Sequence, residues 1–470
     1  MISDTPSRSS KIVVAKALED RLGPGAVFSG SAIPVRHHQD MSHLPPVCPW
    51  LVVRPRDPDG VAATMRIAAA HDIPIVPQGG LTGLCGGAQP REEAIALSTE
   101  RLNGIEAIDP EGSTLTVLAG TPLAVVQSAA EAAGLFYPVD LGSRGSCTIG
   151  GNIATNAGGL RVIRYGMTRD MVLGLEAVLP DGSLVTGMNR MLKNNAGYDL
   201  KQLLIGSEGT LGIVTRAVLR LFPRPATTML ALCAVEDHAR AVQLLVSART
   251  GLGPHLSAFE VMWNDYWIMA TRRLPRHRDP FRQDHPAYVL IEAQGADEAG
   301  DPARFEAWLE QQAENGLIAD GVLARSLADS AKFWAIRDAN AEFSSVCGPC
   351  VDFDIGLPVT MMDRFVRECR DSLSKQLPGS ESFFFGHIGD GNLHIMVSTP
   401  GGYEASKPRI EACVYRLVGT FQGSVSAEHG IGLTKKPWLN QVRSPEEIAT
   451  MRLLKRALDP RSLLNPGKVI

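Results

Sequence analysis

Three side-chain-poor stretches constrain this chain more than anything else in it. Gln78-Gly79-Gly80-Leu81-Thr82-Gly83-Leu84-Cys85-Gly86-Gly87 places five glycines in the nine positions from Gly79. A loop without side chains can bring its backbone N–H groups close to a pyrophosphate. Residues 138–159 form a second such stretch, almost free of bulky groups and carrying Ser, Thr and Asn that can hydrogen-bond phosphates or a polar ring. Gly206-Ser207-Glu208-Gly209-Thr210-Leu211-Gly212-Ile213-Val214 is the third, running into a strand. The first lacks G-x-G-x-x-G with a clean helix behind it and no Gly-Lys-Ser/Thr follows, so neither a nicotinamide Rossmann site nor a Walker loop is expected. Backbone wrapped around an extended nucleotide cofactor fits all three; a tight surface loop is the competing reading of the first taken alone.

The flanking pattern opens as β-α-β. Ile12, Val13, Ala15, Leu18 and Leu22 follow helical spacing, a connector through Pro45, Pro46 and Pro49 comes next, and residues 50–53, 60–71 and 73–77 read as strand, helix and strand. Residues 172–179 and 183–186 around Pro180-Asp181-Gly182 predict a hairpin. After Pro225 the glycine loops stop, which places a domain boundary near 225. Further strands are expected over 229–235, 288–293, 353–357 and 393–397, and helices over 238–250, 301–315, 326–346, 410–422 and 445–458.

A chain of 470 residues reads as two or three domains, and a net charge of −4 with scattered basic residues argues against a nucleic-acid or other polyanion partner. Met1–Ser10 lacks the apolar core of a signal peptide, and no apolar run approaches the roughly 20 residues that cross a bilayer. Eight cysteines over this length suit a reducing compartment. The expected location is cytoplasmic, with peripheral attachment to the inner membrane left open.

The second chemical signal is Gly386-His387-Ile388-Gly389-Asp390-Gly391-Asn392-Leu393-His394, answered by Ser426-Ala427-Glu428-His429-Gly430. Imidazoles and a carboxylate are ligands of borderline divalent metals, and the turn between the histidines could fold them together. His387, His394 and Glu428 would leave coordination positions open, which suits catalysis, with His429 as a neighbouring base. A hydrogen-bonded strand residue is the competing reading of His394, which lies between Leu393 and Ile395. Cys347-Gly348-Pro349-Cys350 copies the thioredoxin redox sequence, but a helix precedes it and a strand follows, the reverse of the thioredoxin context; two free thiols on a turn are expected.

These blocks, with the closing Asn465-Pro466-Gly467-Lys468, resemble the FAD-linked oxidases of the vanillyl-alcohol-oxidase type, in the branch of D-lactate, glycolate and D-2-hydroxyglutarate dehydrogenases. The resemblance runs from about Trp50 to Ile470. It implies an α+β chain: an N-terminal helix and connector (1–45), a two-part FAD-binding domain (46–225), a cap domain with an antiparallel sheet (226–425), and a C-terminal segment (426–470) returning to the FAD domain. It implies FAD contacts at Pro77, Gly79, Gly80, Leu81, Thr82, Gly83, Gly86 and Gly87 in the first loop. In the second they are Pro138, Asp140, Leu141, Gly145, Ser146, Ile149, Gly150, Gly151, Asn152, Ala154, Thr155, Asn156, Gly159, Tyr165 and Gly166. Glu208, Gly209, Gly212, Ile213, Val214 and Asn465 complete the set. The first loop has no histidine, so FAD is expected to be non-covalent.

By the same resemblance His387, His394 and Glu428 hold a divalent metal, expected to be zinc. Asn392 contacts the substrate, Arg337 holds its carboxylate and His429 takes the hydroxyl proton while hydride passes to the flavin. Ala341 and Asp352 stand where the 2-hydroxyglutarate enzymes supply a Thr and a Lys, which favours D-lactate or a longer D-2-hydroxy monocarboxylate. D-2-hydroxyglutarate, an oxidase using O₂ and a non-catalytic flavoprotein subunit are the alternatives. The expected electron acceptor is a quinone, a cytochrome or an electron-transfer flavoprotein, and a homodimer is left open.

Overall fold

The structure, a computed structural model, describes residues 8–400 and 403–470; residues 1–7, where the segment read for a leader begins, lie outside them. The chain divides into two compact units, one of residues up to Gly159 with Gly166–Arg224 and Glu428–Ile470, the other of Leu160–Tyr165 and Pro225–Ala427. Among the described residues no helix is long and apolar enough to cross a membrane.

The first unit opens with a sheet of β1 (Val27–Ser29), β2 (Leu51–Val53), β3 (Ile75–Gln78) and β4 (Ile95–Ser98), in the order β1-β2-β4-β3. Parallel pairing of β4 with β2 and β3 buries every residue of β2 and β4, which is why their sequences are almost unbroken apolar runs. The crossover helix Pro58–Ala70 starts where local chemistry says it should: the Asp57 carboxylate accepts from Gly60 N–H at 2.7 Å, with Pro in the first turn. A second, antiparallel sheet takes β5 (Ile105–Asp109), β6 (Thr114–Leu118), β8 (Val172–Val178), β9 (Leu184–Gly187) and β10 (Ile213–Arg220) in the order β5-β6-β10-β8-β9. The expected hairpin is β8–β9. A short pair joins β7 (Leu135–Phe136) to β11 (Phe222–Pro223). The C-terminal segment returns to β3, where Ile75 N–H donates to Leu463 O (2.8 Å) and Asn465 N–H to Ile75 O (2.7 Å).

The second unit is built on one antiparallel sheet of β12 (Thr227–Val235), β13 (Leu256–Trp263), β14 (Ala287–Gly295), β15 (Asp320–Leu323), β16 (Cys350–Gly356), β17 (Glu381–Gly386) and β18 (Asn392–Ser398), ordered β15-β12-β14-β13-β17-β18-β16. Every residue of β13 and β14 is buried, including Glu260 and Glu292. Register sets Met262 opposite Phe385, Phe385 opposite His394 and His394 opposite Asp354, so these four share one face. The other face packs on helices Met362–Gln376 and Tyr403–Thr420, with the Phe353 and Tyr415 rings 5.1 Å apart.

Two expectations change. The single helix over 326–346 is three pieces, Leu327–Arg337, a 3₁₀ turn Ala339–Glu342 and Ser344–Cys347. The break is a tertiary insertion: the buried Tyr266 hydroxyl donates to Arg337 O (2.5 Å) and accepts from Asn340 N–H (3.3 Å), taking over groups the helical ladder would use. The sequence reading also lacks β13, β15 and β17 here and β1, β4, β5, β6, β7 and a separate β11 in the first unit; Ser257 and Glu260 interrupt the apolar run of β13, and a glycine turn follows β17.

Candidate active site

In the first unit the three glycine stretches surround a cavity of about 450 Å³, within the usual range for a ligand site. Its wall includes residues 77–85, 150–152, 208, 209 and 212–214, together with Glu428 and His429. Backbone meets backbone where the loops cross at Gly80, whose Cβ would lie 2.1 Å from Ser146 O, while a Cβ on Gly79 would lie 2.7 Å from the Thr148 side-chain Oγ1. At Gly83 and Gly142, both on the wall, a Cβ would meet nothing within 4 Å. Among the described residues the N–H groups of Gly79, Gly80, Leu81, Thr82 and Gly83 donate to no other protein group. A row of half-buried donors without a protein acceptor, on a cavity wall, suits a bound phosphate chain.

The first loop is held from behind. Asn465 Nδ2 donates to Gly87 O (3.0 Å) and Glu208 O (2.8 Å), and Lys468 Nζ to Gly87 O (3.0 Å) and Gln89 O (2.6 Å). Burial pulls the Lys468 ammonium down to about 7 although Asp40 and Glu208 push the other way. Glu208, in the left-handed region at φ 52°, accepts from Ile431 N–H (2.7 Å) and Gly432 N–H (2.9 Å), and burial raises its carboxyl. The Glu428 carboxylate accepts from Gly159 N–H at 2.7 Å.

Of the residues expected to touch FAD, Pro77, Gly79, Gly80, Leu81, Thr82, Gly83, Gly87, Leu141, Gly150, Gly151, Asn152, Ala154, Thr155, Glu208, Gly209, Gly212, Ile213 and Val214 line this cavity. Gly86, Pro138, Asp140, Gly145, Ser146, Ile149, Asn156, Gly159, Gly166 and Asn465 do not line it. Several of these have structural work instead, such as the left-handed helix cap at Asn156 and the Asp140–Arg144 ion pair at 2.9 Å. Tyr165 lies in the second unit, its hydroxyl donating to Gln294 Oε1 at 3.0 Å. Met41, Thr99, Gly142, Ser143 and Thr148 line the cavity without having been singled out; only Thr148, which caps helix Ile149–Thr155, carried a local signal.

In the second unit His387 and His394 come together edge to face, with ring centroids 5.3 Å apart. A potential ligand atom of each lies within 4.8 Å of the other's, and Asp354 stands equally close to His394. Behind His387 is Glu260, a residue the sequence reading missed: Oε1 is 2.6 Å from His387 Nδ1, and Oε2 accepts from Arg337 Nε at 2.8 Å. Burial pushes the Glu260 carboxyl up, but His387 and Arg337 outweigh it and bring it down to about 2. Arg337 is itself buried, with Nη2 3.2 Å from His387 Nε2 and Nη1 donating to Asp338 at 3.3 Å. Three of its five N–H groups are thereby engaged, leaving one on each terminal nitrogen for a carboxylate. Asn392 is 4% exposed and neither atom of its amide has a partner among the described residues, so a bound polar group is what would satisfy it.

Elsewhere, Cys347 and Cys350 are free thiols with Sγ atoms 3.5 Å apart on the turn into β16. Burial, and then Cys347, push the Cys350 thiol well up, the opposite of an activated redox thiol.

The family model described as FAD linked oxidases, C-terminal domain, matches residues 224–469, and the one described as FAD binding domain matches 49–187. D-2-hydroxyglutarate dehydrogenase of Xanthomonas citri pv. viticola is 42% identical over 428 residues, covering 90% of this chain and 89% of that protein. The putative mitochondrial D-lactate dehydrogenase C713.03 of Schizosaccharomyces pombe is 34% identical over 429 residues, covering 89% and 81%. Among solved structures, p-cresol methylhydroxylase with substrate bound superposes with a TM-score of 0.79 at 16% identity, covering 98% of this chain and 97% of that one.

Proposed function

The chain belongs to the family of FAD-linked oxidases, and from that premise we propose that it oxidises a D-2-hydroxy acid to the 2-keto acid, with non-covalent FAD and a divalent metal ion, zinc by preference. Its fold is the α+β, vanillyl-alcohol-oxidase type with an FAD-binding domain and a cap. The observation that carries the reading is the buried Arg337 beside His387 and His394, with Asn392 lacking a protein partner among the described residues. That is a polar set suited to an oxyacid.

Bound FAD supplies the hydride acceptor, and the metal supplies Lewis acidity toward the substrate oxygens. FAD would be held by the N–H groups of Gly79 to Gly83 and the wall formed by the other two glycine stretches. His387, His394 and Glu428 would hold the metal. Arg337 offers its two remaining N–H groups to the substrate carboxylate, fixing C2, and Asn392 hydrogen-bonds a substrate oxygen. His429 takes the hydroxyl proton as general base.

For the tail of the acid two observations pull apart. The relatives' names favour D-2-hydroxyglutarate. Asp352 favours a tail without a second carboxylate: it faces Met396 in register, shares a face with Asp354 and His394, and its carboxylate makes no hydrogen bond or ion pair among the described residues. Although Asp352 is an exposed position of β16, partial desolvation raises its carboxyl to about 6, so near neutral pH it is largely an anion that would repel a dicarboxylate. We therefore favour D-lactate or a longer D-2-hydroxy monocarboxylate, with electrons passed to a quinone, cytochrome or electron-transfer flavoprotein. The test is anaerobic bleaching of the flavin band by D- and L-2-hydroxy acids, with and without chelator, and peroxide release in air. Bleaching by D-lactate that is abolished by chelator supports the reading. A clear preference for D-2-hydroxyglutarate rejects the tail assignment, and bleaching untouched by metal removal rejects the metal.

A further inference from the structure

We propose that Glu260 is the positioning residue of this reaction: a single buried carboxylate sets both the tautomer of His387 and the direction of the Arg337 guanidinium. The proposal rests on the reading of His387 as a metal ligand and of Arg337 as the partner of the substrate carboxylate.

Glu260 is 1% exposed on β13, between β14 and β17, so its two oxygens are served by protein groups alone: His387 Nδ1 at 2.6 Å and Arg337 Nε at 2.8 Å. Arg337 Nε can only donate, so Oε2 accepts from it, and a carboxylate paired in this way with a guanidinium accepts at its other oxygen as well. Nδ1 of His387 must therefore carry a proton, whichever way the rest of the site is arranged. In the neutral ring the lone pair then stays on Nε2, the atom that can coordinate a cation.

In the structure that same Nε2 faces Arg337 Nη2 at 3.2 Å. The arginine and a metal ion thus compete for one atom, and Glu260 prepares the atom for either. Glu260 also fixes the guanidinium through Nε, so the group stays in place when Nη2 leaves the histidine. Phe385 flanks it, with the guanidinium carbon 5.3 Å from the ring centroid. A glutamine at 260 would keep the shape and remove the constraint, because its amide N–H₂ can donate to Nδ1 and leave the proton on Nε2.

The test uses the full-length FAD-loaded protein, with Zn²⁺ affinity measured by competition against a chromogenic chelator and steady-state kinetics on the best hydroxy acid. Glu260→Gln is expected to bind Zn²⁺ about 10- to 100-fold more weakly, to raise KM for the hydroxy acid, and to keep its flavin absorbance. Arg337→Met, which removes the competitor, is expected to bind Zn²⁺ at least as tightly as the wild type. Where Glu260→Gln alone fails to fold because Arg337 is left unpaired, the double variant Glu260→Gln/Arg337→Met restores charge balance and should show the same Zn²⁺ loss. Zn²⁺ affinity unchanged by Glu260→Gln but lost in His387→Ala overturns the positioning role while leaving the metal reading intact. A wild type that binds no Zn²⁺ and oxidises the acid normally overturns both.

Discussion

Gly80→Ala and Gly83→Ala separate two reasons for a glycine in the first loop. A Cβ at position 80 would sit 2.1 Å from Ser146 O and 2.9 Å from Cys147 Cα, both backbone atoms. Neither can step aside locally, because Ser146 N–H and Cys147 N–H both donate to Ser143 O at 2.8 Å. A carbon–oxygen contact needs about 3.3 Å, so the two loops must part by about 1 Å. Overpacking of that size costs about 1–3 kcal/mol. At position 83 nothing lies within 4 Å and the methyl group would project into the cavity. The apoprotein should then be unaffected to within about 0.5 kcal/mol, while FAD, which needs that space, should bind about tenfold more weakly, equal to about 1.4 kcal/mol. Apoprotein melting by circular dichroism and FAD affinity by flavin fluorescence quenching read the two effects apart. Gly80→Ala apoprotein melting like the wild type, or Gly83→Ala losing apoprotein stability while holding FAD normally, would refute the packing argument.

Lys468 predicts a pH dependence. Its amine lies at about 7 in the fold against an ordinary 10.5, so between these values the unfolded chain binds a proton that the folded chain does not. That contribution to stability rises with pH across the window. Urea midpoints should show the wild type gaining on Lys468→Met from pH 7 to about pH 9; a flat difference would contradict the buried neutral amine. In the second unit the Glu292 carboxylate pairs with Arg161 through two contacts (2.8 and 3.1 Å) and accepts from Ser257 Oγ at 2.7 Å. Glu292→Gln takes the charge out of this pair while keeping its shape and should destabilise by about 1–3 kcal/mol, visible in chemical denaturation; a loss under about 0.5 kcal/mol would mean that solvent reaches the pair.

Much of the architecture was written locally. The glycine stretches, the hairpin around Pro180-Asp181-Gly182, the Asp57 cap with Pro58 and the Ser444/Glu447 capping box each work within a few residues of sequence, and the structure forms them there. So were the paired histidines, since a short glycine turn joins β17 to β18 and brings His387 and His394 together.

What the sequence could not disclose depends on partners far along the chain. Glu260 reads as a polar fault in an apolar run, and it is tolerated in a central strand only because Arg337 and His387 arrive from 77 and 127 residues away. The helix after Ser326 has good local credentials through residue 346 and is cut by a tyrosine hydroxyl from 71 residues upstream. Local propensity acts over a turn or two of backbone, whereas a buried charge or hydroxyl must be satisfied by whatever the fold brings to it, and only the tertiary structure names that partner.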